Sequence, residues 1–150
     1  MIRASILLFI LPVLISGCIY DSTRMGPCVH EYREPVLTIT EVTDQNSQQL
    51  LQEVKITALK RGNFEYNLDP ENGIFVLSMA ENIEHESPLL ICTIPCGFEI
   101  YEGTYTLQIE AEGYRDKTIE TEATYQRGGG SCPSFSDDGI KINFSLEPED

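Results

Sequence analysis

The sequence contains no tryptophan, only two histidines and three methionines, and sets just 10 lysines and arginines against 24 aspartates and glutamates. Each shortage excludes something. Without tryptophan there is no indole platform to line a sugar-binding face. With His30 and His85 as the only imidazoles, a serine or cysteine nucleophile has few bases to activate it. No Gly-x-Ser-x-Gly elbow occurs, and the glycine run at Gly128–Ser131 leads into Cys132 and Pro133, not into the Lys-Ser and helix of a phosphate-cradling loop. The formal charge of −14 disfavours nucleic acid as a partner, because phosphate binding depends on lysine and arginine. The acids are scattered along the chain. A solvated surface is the plain reading of them, and a cation or a basic protein partner the sharper one. There is no internal repeat, and beyond the first residues no apolar run is long enough to cross a bilayer.

What the chain does have begins with MIRASILLFILPVLISGC: one positive charge at Arg3, an apolar run from Ile6 to Ile15, and small residues before Cys18. This is the pattern of a secretory signal. Its end, Ile15-Ser16-Gly17-Cys18, resembles the bacterial lipobox. The resemblance implies cleavage before Cys18, a diacylglyceryl thioether on its sulfur and an acylated new amino terminus. Several acyl chains, at about 0.8 kcal/mol per buried methylene, would hold the mature chain to a membrane effectively permanently. Ile19 stands where an aspartate would resemble the inner-membrane retention signal, so the outer membrane of the cell envelope is the expected address. Residues 1–17 are then signal peptide and residues 18–35 a lipidated tether, with the domain at 36–148 and a short tail at 149–150. The removed segment carries a single charge, so the mature chain is slightly more acidic still.

With Cys18 committed to lipid, Cys28, Cys92, Cys96 and Cys132 remain. Four cysteines in an exported chain imply two disulfides, and spacing alone leaves three connectivities open. The expected pairs are Cys96 with Cys132 and Cys28 with Cys92. The loop closed by the first would contribute roughly 4 kcal/mol by loop-closure entropy. Zinc held by cysteines with His30 and His85 is the alternative, but no Cys-x-x-Cys pair supports it. No metal or cofactor is expected.

The hydrophobic pattern has a period of two. VLTITEV (36–42) reads as a strand, followed by a polar turn. Residues 53–60 alternate Val54, Ile56 and Ala58, although Leu50, Leu51, Val54 and Ala58 would also suit a helix face. NFEYNL alternates before the turn signal DPENG, IFVLSMA reads as a buried strand and ENIEHESP as a polar loop. A strand over Leu89–Ile94 is expected to stop at Pro95 and Gly97. EGTYTLQIEAEGY, then residues 114–126, and finally IKINFSL alternate cleanly. Short strands with frequent turns predict an all-β fold: a seven- or eight-stranded antiparallel Greek-key β-sandwich after a cleaved signal helix.

The stretch EGTYTLQIEAEGYRDKTIE resembles the late hairpin of the carboxypeptidase regulatory-like domains, a transthyretin-like group of sandwiches. Gly103, Tyr105, Leu107, Ile109, Ala111, Gly113 and Tyr114 fit its pattern. In the early half Asp44, Ser47, Leu51, Val54 and Ile56 match in register. Gln48 and Leu50 depart from it, where glycine and proline are expected, as does Glu53, and a longer or looser turn follows. FSLEP, Phe144–Pro148, resembles the closing strand. The resemblance spans about residues 37–148 and implies a non-catalytic accessory module on an exported bacterial protein.

Little points to catalysis. Glu110 with Glu120 or Glu122 could offer a carboxylate pair across the hairpin. Asp69, Glu71 and Asn72, or Asp137 and Asp138, could offer oxygens to calcium, although neither group matches a twelve-residue calcium loop. Among the tyrosines, an exposed one of Tyr101, Tyr105 and Tyr114 could anchor a partner. The expectation is a lipid-anchored, non-enzymatic module that binds another envelope protein or serves structurally. The alternative is a small hydrolase or calcium- or ligand-binding domain using loop carboxylates.

Overall fold

The computed structural model describes residues 34–69, 77–126 and 139–149. The signal segment, Cys18, Cys28, His30, Cys132, and the loop residues Glu71, Asn72, Asp137 and Asp138 lie outside them. The described residues form eight strands: β1 Leu37–Asp44, β2 Glu53–Arg61, β3 Phe64–Glu65, β4 Ala80–Glu86, β5 Leu89–Phe98, β6 Gly103–Glu110, β7 Lys117–Ala123 and β8 Ile140–Leu146. All belong to one hydrogen-bonded sheet ordered β7-β6-β2-β5-β1-β8, with β3 beside β2 and β4 beside β5. The sheet is mixed and rolls into a nearly closed, barrel-like shape.

Alternation places the core. Tyr105, Leu107 and Ile109 of β6 point inward and are fully buried, as are Leu37, Ile39 and Val42 of β1 and Ile56 and Leu59 of β2. A fully buried aliphatic side chain is worth about 1.5–3 kcal/mol. The changes of phase, from Ile39 to Val42 and from Ile56 to Leu59, are bulges: the ladder skips Thr40 of β1 and Thr57 of β2. An extra residue bends its strand and increases its twist, which is how a flat ladder curls. The third bend is in β5. Its first half pairs with β2 (Ile56 with Leu90, Val54 with Cys92) and its second half with β1 (Ile39 with Cys96, Leu37 with Phe98). β5 therefore carries the sheet from one neighbour to the other.

This bend corrects one expectation. Pro95 does not end the strand, because the β4 ladder jumps from Cys92 to Gly97 and leaves Pro95 inside the bulge, where no amide is required of it. Gly97 is needed there: a Cβ would lie 2.6 Å from Cγ of Pro35. A second correction concerns direction. β1 and β8 run parallel over Leu37–Asp44 and Ile140–Leu146, so the fold is not the all-antiparallel arrangement expected. A third concerns β4. It lies on AENIEHE, read from sequence as mostly loop, while the run IFVLSMA, read as a buried strand, has residues 74–76 outside the described ones and contributes only Ala80 to β4. The NFEYNL strand shrinks to the two residues of β3.

The path's ends, β7 and β8, meet at one corner. Tyr114 bridges to Pro148, the Arg115 amide donates to the Glu147 carbonyl at 2.9 Å, and Nζ of Lys117 donates to the Ser145 carbonyl at 2.8 Å. Elsewhere Ile119, Ile142 and Phe144 face inward but stay only partly buried.

Candidate functional site

The strands deliver their loops to two ends of the barrel. At the N-terminal end β1 starts, β2 and β5 finish, and β6 starts. The Tyr125 hydroxyl, just after β7, donates to the Glu34 carbonyl at 2.8 Å, and the Tyr125 amide donates to Oε1 of Glu102 at 2.9 Å. Glu99, one residue past β5, is 1% exposed and has a left-handed backbone at φ 64°. That conformation is uncommon for a residue with a side chain. Two segments converge on it: its carbonyl accepts the Val36 amide at 2.7 Å, its amide donates to the Met79 carbonyl at 3.0 Å, and its carboxylate accepts the Ser78 amide and hydroxyl. A buried carboxylate is costly unless bonded in this way.

Tyr66 and Tyr105 stand beside it. Burial pushes both phenols above their usual range, and the Glu99 charge adds to the effect. The Tyr105 hydroxyl donates to the Tyr101 carbonyl at 2.6 Å. The Arg61 guanidinium lies 4.6 Å from the centre of the Tyr101 ring, and Phe64 stands opposite Arg61 across the β2–β3 ladder. Phe64 and Tyr101 are 57% and 52% exposed. The buried polar groups thus secure the end while two aromatic side chains project from it.

The far end is closed by Asp44. Its Oδ1 accepts the amides of Asn46 at 2.7 Å and Ser47 at 2.6 Å, and its Oδ2 accepts the Tyr114 hydroxyl at 3.0 Å. The Ser47 amide, with help from Tyr114 and Asn46, holds the Asp44 carboxyl below its usual range against the opposing effect of burial. The same bond raises the Tyr114 phenol. Gln48 takes φ 60° in this turn, at the position where the resembled pattern has glycine. Beyond Tyr114 lie adjoining clefts of about 350 and 310 Å³ bordered by Glu53, Lys55, Glu110, Glu112, Asp116 and Glu149.

The expected site residues fare differently. Cys92 and Cys96 are bonded to each other, with their Cα atoms 5.6 Å apart, so neither joins Cys28 or Cys132 as expected. As a cystine they have no thiolate for zinc, and His85 instead contacts the Leu68 carbonyl at 2.8 Å. Glu120 and Glu122 stand opposite Thr106 and Thr104. At about 3.4 Å per residue this puts Glu120 some 13 Å along the sheet from Glu110, beyond the reach of a cooperating pair. Among the described residues no three His, Cys, Asp or Glu side chains converge as a metal-ligand set. Asp69 accepts the Ser87 hydroxyl at 3.0 Å. Of the three tyrosines, Tyr105 is core, Tyr114 serves the far-end clasp, and Tyr101 is the exposed one.

No family model, curated protein or solved structure matches the chain.

Sequence reasoning missed Glu99 and the Asp44–Tyr114 bond. The Asp44-Gln45-Asn46-Ser47 run carried a usable signal for half of the latter, since an aspartate before small polar residues caps its own turn. Nothing local marks Glu99, whose partners come from distant segments.

Proposed function

We propose that this protein is a lipid-anchored module of the bacterial cell envelope, moored through Cys18 and directed to the outer membrane, that works by binding another envelope protein and not by catalysing a reaction. The Ile15–Cys18 motif supports the anchor. The hairpin over residues 102–120 supports kinship with transthyretin-like sandwiches, in which reading β5 passes between the two layers at its bend.

The observation that carries the binding role is the concentration of acids at the far end. Glu53, Glu110, Glu112, Asp116 and Glu149 border clefts in which Lys55 is the single cation, and this end points away from the one where the chain leaves toward Cys18. A basic protein face is the complementary surface, and its capture would weaken as salt rises. The experiment is co-isolation from native envelopes of wild-type protein and a Glu110→Lys/Glu112→Lys/Glu149→Lys variant. A basic partner held stoichiometrically by wild type and lost by the variant is the expected result. Equal recovery by both, or no stoichiometric partner, refutes the role.

A further inference from the structure

We infer that the N-terminal end of the barrel rests on the membrane, with Phe64 and Tyr101 seated at the lipid interface and Arg61 at the level of the phosphates. The inference rests on the Cys18 anchor proposed above. Among the described residues three large apolar side chains are exposed: Leu50, Phe64 and Tyr101. Isolated exposed apolar residues are ordinary, but Phe64 and Tyr101 are grouped around Arg61, one across the ladder from it and one beneath its guanidinium. Leu50 lies apart, bridged to Thr43 in the far-end turn.

The occupant follows from where the chain goes. Glu34 is fixed to Tyr125, and Val36 to Glu99, two residues before Tyr101. The chain toward Cys18 therefore leaves from the aromatic end itself. Residues 19–33, even fully extended, reach no more than about 50–55 Å, so an anchored Cys18 keeps this end within that distance of the bilayer, and a shorter path of the chain brings this end to it first. Aromatic side chains favour that boundary. The nearby acids Glu65 and Glu102 are engaged, Glu65 by Lys60 at 3.1 Å and Glu102 by the Tyr125 amide. Because the chain as a whole is acidic, the surface suits zwitterionic lipid better than anionic lipid.

The absence of tryptophan makes a clean test possible. Phe64→Trp, Tyr101→Trp and Leu50→Trp variants of the full lipidated protein would be reconstituted into phosphatidylcholine vesicles, with and without acyl-brominated lipid. The first two should show blue-shifted emission and lose most of it to bromine, whereas the Leu50→Trp variant should show neither change. Vesicle-bound protein with unquenched emission at both aromatic positions, or with equal quenching at all three, overturns the inference and leaves the anchor standing. Lipid-only vesicles make a protein occupant one of those unquenched outcomes. Protein that does not float with the vesicles refutes the anchor, and this inference with it.

Discussion

Replacing Cys92 and Cys96 together by alanine tests the bend in β5. The cystine closes a loop with a sequence separation of 4, for which loop-closure entropy gives about 2 kcal/mol, half of what the longer Cys96–Cys132 loop would contribute. For a domain of this size that loss lowers the melting temperature by roughly 8–12 °C. Urea unfolding followed by circular dichroism measures the stability, and thiol titration of denatured, unreduced protein measures the pairing. Cys92→Ala alone should free one thiol more than wild type, and the double variant none more, because the two cysteines are each other's partners. Two free thiols in the double variant beyond those of wild type, or a loss near 4 kcal/mol, would show that Cys92 and Cys96 are bonded elsewhere and would refute the reasoning.

Asp44→Asn should flatten the acid limb of the stability curve. The carboxyl is held below its usual value of 3.8 in the fold, so its contribution is present above that pH and is lost as pH falls through the folded value. Melting temperatures from pH 6 to pH 2 that stay parallel in wild type and variant would contradict this. Tyr66 and Tyr105 are raised above 10.0; their contribution is present below pH 10 and fades as the unfolded chain begins to ionise. Ultraviolet titration should show them ionising together with unfolding, and ionisation at ordinary pH in the intact fold would count against the buried cluster. Gln48→Gly should raise stability by up to about 1 kcal/mol, since a left-handed residue bearing a side chain costs about 1–2 kcal/mol and glycine relieves most of it. A loss in urea unfolding would mean that the Gln48 side-chain bond to the Gln45 carbonyl outweighs the strain.

The parts legible in the sequence are those where burial imposes a period. β6, with Tyr105, Leu107 and Ile109, and β8, with Ile140, Ile142, Phe144 and Leu146, show their faces directly. β2 was distinguishable from a helix because Val54 and Ile56 alternate up to the bulge at Thr57. Direction was not legible, because an alternating strand reads the same beside a parallel or an antiparallel neighbour. β4 escaped because its side chains are almost all exposed, so it is a strand only through its hydrogen bonds to β5. The cysteine pairing escaped for a geometric reason. Four residues along a straight strand span about 13 Å, and Cys92 reaches Cys96 only because the chain doubles up between them. Neither end network was visible as a unit, since Glu99 gathers partners from segments far apart in sequence. The aromatic pair at Phe64 and Tyr101 became apparent only once exposure separated it from Tyr105 in the core.

Both the binding role and the seating of the aromatic end require Cys18 to be the moored end of the mature chain. Mass spectrometry of the amino-terminal peptide from protein purified out of bacterial envelopes tests it most directly. The expected peptide begins at Cys18 and carries a diacylglyceryl group and an amide-linked acyl chain, and it is absent in the Cys18→Ala variant. An unmodified peptide, whether it begins at Met1 or at a residue beyond Cys18, would contradict it.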